Sequence, residues 1–264
     1  MNTVGRKSGT LLRMQRFYRR HKALVTSPFI TQEGIVDASL LDAIFRDLGL
    51  RADGGPVLDI GCGSGLLSTL FRARGVPYVG LDINVHPNFS GLQTGRVRFV
   101  NGSSVDLPFA DARFGLVACV DSYEHYPDPV RAAAEMRRVL RPDGQVFLSV
   151  PNYSNVAGWV KRRMERSGAY ARDTWAPFDF WKPQELEQFM TPERVRRSFE
   201  SAGFSRFRVV GLARELHFGL LPWLLHPACP HKVKRSVEMF FTLFQNPVVK
   251  RKPGWSLHTL WAIA

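Results

Sequence analysis

The sequence is short of cysteine, of long apolar runs and, over its first stretch, of acid. Cys62, Cys119 and Cys229 are the three cysteines in 264 residues, and none stands in a Cys-x-x-Cys pair. An odd number without that spacing suggests neither a disulfide framework nor a cysteine zinc site, so no metal is expected and a reducing, cytoplasmic setting fits. Arg13, Arg16, Arg19 and Arg20 interrupt the early apolar positions, which leaves no hydrophobic core for a secretory leader. Residues 216–231 hold no Lys, Arg, Asp or Glu, yet Pro222, Pro227, Pro230, His217 and His226 break them up. They fall short of the roughly 18–20 apolar residues a membrane span needs. No acid precedes Glu33: residues 1–32 hold 7 Lys/Arg, residues 33–130 hold 7 against 12 acids, and residues 131–264 hold 22 against 11. The net charge of +13 therefore comes from two basic ends around an acidic middle. The middle offers no cationic cradle, while the ends could meet an anionic surface.

What is present is enough apolar material, 45% of residues, to bury the core of one elaborated domain. A basic segment over residues 1–32 leads into a domain over residues 33–264. From Pro56 onward, short apolar runs alternate with helical segments, the pattern of a parallel sheet covered by helices. Strands are predicted at 56–60, 78–82, 96–101, 114–120, 145–150, 207–211 and 255–263. Helices are predicted near 66–74, near 84–95, over 129–140 and from Thr191 to about 202, with Thr191 as cap and Pro192 in the first turn. The turn Arg141-Pro142-Asp143-Gly144 should end the third of these, its glycine accepting a positive φ. Regular alternation stops after Pro151 for about forty residues rich in aromatics and arginine, and residues 216–252 alternate apolar and basic.

The strongest local signal is Val57-Leu58-Asp59-Ile60-Gly61-Cys62-Gly63-Ser64-Gly65, an apolar strand running into a glycine loop and then a helix. Such a loop lets backbone approach a ligand at the carboxyl edge of a sheet. The dinucleotide spacing G-x-G-x-x-G fails because Leu66 stands where its third glycine belongs, and the Lys-Ser/Thr of a P-loop is absent. Asp59 at the strand end would repel a pyrophosphate, whereas a ligand bearing an ammonium and a sulfonium would gain from it. About twenty residues on, Gly80-Leu81-Asp82 ends the second strand with an acid able to accept from both hydroxyls of a ribose.

The chain resembles the class I S-adenosylmethionine-dependent methyltransferases, within them the small-molecule methylases similar to those of quinone biosynthesis. The resemblance runs over about residues 40–211. It rests on the glycine loop, Val79-Gly80-Leu81-Asp82, Gly102 with Asp106-Leu107-Pro108-Phe109, Glu124-His125 with Asp128-Pro129, Arg138-Val139-Leu140-Arg141-Pro142-Asp143-Gly144, and Ala202-Gly203-Phe204. It implies an α/β, Rossmann-like, mostly parallel seven-stranded sheet with helices on both faces. It also implies S-adenosyl-L-methionine as cofactor: Asp59, Gly61, Cys62, Gly63 and Gly65 on the methionine part, Asp82 on the ribose, Ile83, Ser103 and Ser104 about the adenine, and Val120 as a further cofactor-binding residue. Two departures stand out: Ser103 where the family places an Asp, and Gly115 where an acid commonly follows the Phe of the fourth strand.

Methyl transfer from a sulfonium is an in-line displacement, so the protein must align the acceptor and, for oxygen or nitrogen, remove a proton. His125, in the loop after the fourth strand, is the candidate base, with ordering of that loop as its alternative role; Asp121 and Tyr123 are weaker candidates. The aromatic stretch, taken as a lid or insertion over residues 152–190, implies an apolar acceptor pocket, or else a second small core. Leu11, Met14, Phe17 and Tyr18 lie at helical spacing among arginines, and residues 237–244 are flanked by Lys232, Lys234, Arg235 and by Lys250, Arg251, Lys252. A basic N-terminal helix and this tail could rest on an anionic membrane, making the protein peripheral; solvated faces and nucleic acid are the alternatives. Val120-Asp121-Ser122-Tyr123 stands in place of an Asn-Pro-Pro-Tyr motif, which argues against a nucleic-acid base as acceptor. The expected function is methyl transfer to a small or lipid-like acceptor, at oxygen or carbon. The alternatives are S-adenosylmethionine binding without catalysis, or a basic methyltransferase acting on RNA or protein.

Overall fold

A computed structural model of the chain describes residue 29 and residues 35–51, 54–167, 187–225 and 229–264. The expected basic N-terminal helix, and the lid aromatics Tyr170, Trp175, Phe178, Phe180 and Trp181, lie outside the described residues.

Helix α1 (Ala38–Leu48) starts where the Asp37 carboxylate accepts the Leu40 N–H and stops at Gly49, whose φ of 68° turns its N–H back to Arg46. Leu41, Ile44, Phe45 and Leu48 form its buried stripe. The next elements are β1 (Val57–Ile60), α2 (Leu67–Ala73), β2 (Tyr78–Asp82), α3 (Phe89–Leu92), β3 (Val97–Asn101), β4 (Phe114–Val120), α4 (Pro129–Val139) and β5 (Leu140–Pro151). Beyond them lie α5 (Val156–Arg166), α6 (Pro192–Ser201), β6 (Phe207–Gly211), α7 (Leu216–Leu220), α8 (His231–Thr242), α9 (Gln245–Arg251) and β7 (His258–Ile263).

Among the described residues, seven strands form one sheet in the order β3-β2-β1-β4-β5-β7-β6. β1 is parallel to both β2 and β4, β2 to β3, and β4 to β5. Arg206 and Ala264 exchange both backbone hydrogen bonds at 2.9 Å, and Leu212 bonds to His258, so β6 and β7 run antiparallel. β1 and β4 are buried almost end to end, as their uninterrupted apolar sequences require. The order reverses between β1 and β4, and a crevice at their carboxyl ends is where such sheets bind ligands.

By packing the chain divides into two compact units. The first comprises the described residues of Met1–Ser149, Arg196–Arg208 and Trp261–Ala264; the second those of Val150–Val195 and Val209–Leu260. In the first, Arg138 of α4 is a tie between helix and loop. Its guanidinium donates to the Leu107 and Phe109 carbonyls and to Asp111 and Glu135, while Glu135 accepts the Leu107 N–H at 2.8 Å. In the second, Lys161 of α5 is wholly buried, its Nζ 2.5 Å from Glu187 and 2.9 Å from the Tyr153 hydroxyl. No helix among the described residues is long and apolar enough to cross a membrane.

Several sequence expectations need correction. The segment Arg141-Pro142-Asp143-Gly144 does not close a turn of positive φ: extended backbone begins at Leu140, which pairs with Phe114 across an irregular register, and Gly144 is absent from the left-handed residues. Its glycine is needed for closeness instead, since a Cβ there would lie 2.8 Å from the Leu140 side chain. Within the stretch after Pro151 expected to be irregular, α5 forms because the Asn155 side chain accepts the Gly158 N–H at 2.7 Å, a cap at its start. The alternating tail folds as α7, α8 and α9.

Candidate functional site

The site is built at the carboxyl ends of β1, β2 and β4 in the first unit. Gly61 and Gly65 have φ of 76° and 77°, and a Cβ on Gly61 would lie 2.5 Å from the Ser122 side chain, so only glycine lets the loop fold back here. The loop spends its amides on the protein: the N–H groups of Gly61 and Cys62 donate to the Leu81 carbonyl (2.7 and 3.1 Å), and Gly65 to Cys62 (2.8 Å). Gly63 donates to the Asp82 carboxylate at 2.9 Å. A phosphate cradle needs such N–H groups turned outward, and here four are already used beside two carboxylates.

Asp82 sits at the end of β2 with its other oxygen accepting the Asn84 N–H at 2.9 Å. Burial raises its pKa, opposed by the backbone hydrogen bonds from Asn84 and Gly63. The Asp82 carbonyl also accepts from Gly102 and from the Asn101 side chain, which draws the end of β3, with Ser103 and Ser104 just beyond, to the same edge. Asp59 is 3% exposed and accepts the Tyr78 hydroxyl at 2.6 Å. Burial pushes its pKa up to about 7; the Tyr78 hydrogen bond opposes this and the charge of Asp82 adds to it. The two carboxylates thus share a region that resists negative charge, and its field favours a cation. The Cys62 thiol is held protonated by burial and by the charges of both acids, and Cys119 is pushed up to about 12 by burial. Neither suits a nucleophile.

The loop after β4 is pinned to β1. Ser122 and Tyr126 both donate to the Ile60 carbonyl, at 2.9 and 3.0 Å, and both contact the Cys119 sulfur. Asp121 takes φ of 48° and its carboxylate accepts the Ser149 hydroxyl at 2.6 Å. This holds the short turn Tyr123–His125 against the glycine loop's edge, with His125 Nε2 3.5 Å from the Glu124 carboxylate and both side chains buried. Asp59, the glycine loop, Cys62, Asp82, Ile83, Ser103, Ser104, Val120 and His125 therefore fall along one sheet edge. The sequence reading missed Tyr78, Ser122 and Tyr126. Tyr78 could have been suspected as a buried strand residue with a hydroxyl in need of a partner; the other two carry no local signal.

The departures from the family pattern have local explanations. A Cβ on Gly115 would meet the Gly54 carbonyl oxygen at 2.5 Å, so no acid fits, and the position lies at the start of β4, away from the site. The Ser103 hydroxyl accepts the Val105 N–H at 3.4 Å within a tight bridge to Asp106. A cavity of about 530 Å³ lined by Arg51, Arg206, Arg208 and Gln145 lies at the start of β5, the opposite edge from the glycine loop, and is not part of the site.

A family model described as a methyltransferase domain matches residues 35–206. The ubiquinone biosynthesis O-methyltransferase of Aromatoleum aromaticum is 38% identical over 122 residues, 42% of this chain and 50% of that protein, so the chain spans half the length of this relative. The protein of the same name from Pectobacterium atrosepticum is 29% identical over 178 residues, 64% of this chain and 68% of its own. Among solved structures, an S-adenosylmethionine-dependent methyltransferase of Mesorhizobium loti has TM-score 0.55 at 15% identity, covering 84% of this chain and 96% of its own. A Haemonchus contortus phosphoethanolamine N-methyltransferase, in complex with S-adenosylhomocysteine, has TM-score 0.57 at 17% identity, covering 95% of this chain and 59% of its own. These structural likenesses are likenesses of fold. With the family match over most of the described residues and a seven-stranded sheet of this order, the chain belongs to the S-adenosylmethionine-dependent methyltransferases of the class I, Rossmann-like fold.

Proposed function

We propose that the chain transfers a methyl group to a hydroxyl oxygen of a small, apolar or lipid-like acceptor. The observation that carries the reading is the pair of acids at the loop: Asp82 bound to the Gly63 N–H, and Asp59 behind it with a pKa raised to about 7. A site that already disfavours its own negative charge gains most from a cationic ligand. The names of the ubiquinone-biosynthesis relatives support oxygen as the acceptor atom.

S-adenosylmethionine, when bound, supplies an electrophilic methyl on a sulfonium. Asp82 would accept the ribose hydroxyls, Asp59 would offset the ligand's positive charge through space, and Ile83, Ser103, Ser104 and Val120 would line the adenine. His125 would take the proton of the acceptor hydroxyl as that oxygen is methylated, becoming an imidazolium. Glu124, 3.5 Å from Nε2, would stabilise that imidazolium.

The test uses S-adenosylmethionine labelled in its methyl group, incubated with the chain and with separated lipid, RNA and protein fractions of a cell extract. Label in the lipid or small-molecule fraction, lowered about 100-fold or more by His125→Gln, supports the reading. Label confined to RNA or protein overturns the acceptor, and binding without any labelled product overturns catalysis.

A further inference from the structure

Helix α8 (His231–Thr242) has no buried residue at all, although five of its twelve residues are Val, Met or Phe. Its inward side is settled by contact: Val237, Phe241 and Phe244 are half-buried, and the Phe241 ring lies 5.9 Å from that of His217 in α7. A second apolar side faces solvent. Val233 is 47% exposed, Met239 67%, Phe240 60% and, just past the helix end, Leu243 82%. Residues 233, 236, 240 and 243 recur at three- and four-residue spacing, so Val233, Phe240 and Leu243 line up on one face with Ser236, and Met239 widens it.

Charge tells what this stripe suits. Exposed Lys232 lies at the N-terminal end of this face, in line with Ser236 and Met239, exposed Arg235 flanks it, and Lys250, Arg251 and Lys252 follow in and after α9, which packs against α8. The helix's acid, Glu238, lies on the far side, 3.8 Å from His217 Nε2. An exposed apolar stripe bordered by cations, with its acid turned away, is the pattern of a helix lying in the interface of an anionic bilayer. A protein partner would call for a mixed rim, and nucleic acid gains nothing from four exposed apolar side chains.

We infer that α8 docks the protein on an anionic lipid surface, Val233, Met239, Phe240 and Leu243 entering the headgroup layer while Lys232, Arg235 and the cations of α9 meet lipid phosphates. This goes beyond the proposed methyl transfer and does not depend on it. For an enzyme with a lipid-like acceptor, such docking would raise the local substrate concentration.

The full chain is sedimented with vesicles of phosphatidylcholine alone and with about one third phosphatidylglycerol, at low and high salt. Three proteins are compared: the unaltered chain, Phe240→Ser/Leu243→Ser and Lys232→Glu/Arg235→Glu. Because the substituted residues are solvent-exposed, the variants keep their thermal midpoint and S-adenosylmethionine binding, which separates failure to dock from failure to fold. The unaltered chain should bind the anionic vesicles and release them at high salt, and each variant should bind about tenfold or more weakly. Equal partition onto neutral and anionic vesicles overturns the inference, as does undiminished binding by both variants. It is equally overturned if the apolar variant instead abolishes a dimer, or the charge variant abolishes RNA binding, with no change on vesicles.

Discussion

Replacing Asp59 by Asn should make the ligand-free protein more stable and the liganded protein harder to form. The carboxyl is 3% exposed, and burial raises its pKa from 3.8 to about 7 against the Tyr78 hydrogen bond, with Asp82 adding to the rise. A carboxyl with a folded pKa above its unfolded one holds more protons folded than unfolded between the two values. Stability therefore falls as pH rises from 3.8 to about 7, and the full cost remains above that. A rise of about three units corresponds to about 4 kcal/mol. Asn keeps an acceptor for Tyr78, removes the charge and puts an NH2 donor in place of the second carboxylate oxygen. Asp59→Asn should then gain on the order of 2–4 kcal/mol at pH 8 and almost nothing near pH 4, measured by urea unfolding at each pH. The same variant should bind S-adenosylmethionine about tenfold or more weakly, the trade between stability and function expected where a site stores unfavourable charge. A variant no more stable than the parent at pH 8, or stabilised equally at both pH values, would refute the reasoning.

Arg138→Met should cost about 2–4 kcal/mol in chemical unfolding, because it takes the guanidinium from the part-buried Leu107 and Phe109 carbonyls and from the Glu135 carboxylate. The Arg138 hydrogen bond holds Glu135 below its usual value of 4.5, so this stabilisation is present above pH 4.5 and is lost as pH falls through the lowered value; the variant should show less of that acid sensitivity. Removing one partner of the buried Lys161–Glu187 pair, as in Lys161→Met, should cost about 3–5 kcal/mol, and Lys161→Met/Glu187→Leu should recover much of it in thermal unfolding. Gly61→Ala, at φ 76° with the Ser122 side chain 2.5 Å from the new methyl, should abolish S-adenosylmethionine binding in calorimetry while costing about 1–3 kcal/mol of stability.

The cofactor half of the fold was legible because parallel strands buried on both faces read as plain apolar runs. Val57–Ile60, Tyr78–Asp82 and Phe114–Val120 could be marked almost to the residue, and the acids at their ends announced the sheet edge. The pairing of those acids with distant groups was not legible. Tyr78 reaches Asp59 across nineteen positions and Ser122 reaches Ile60 across sixty-two, and neither leaves a periodic trace. The second unit was hardest to read. α5 begins at an Asn155 cap that looks like any loop asparagine, and α8 wears apolar residues on two sides, which blurs the single stripe that marks a surface helix.

The central claim is that the two acids make a seat for an adenosyl cation and not for a phosphate chain. Titration calorimetry of the full chain with S-adenosylmethionine and, separately, with ATP tests it most directly. One molecule of S-adenosylmethionine should bind per chain, about tenfold or more weakly in Asp82→Ala, with no heat from ATP. Binding of ATP at equal or greater affinity, or an Asp82→Ala variant that binds S-adenosylmethionine as the parent does, would contradict the account.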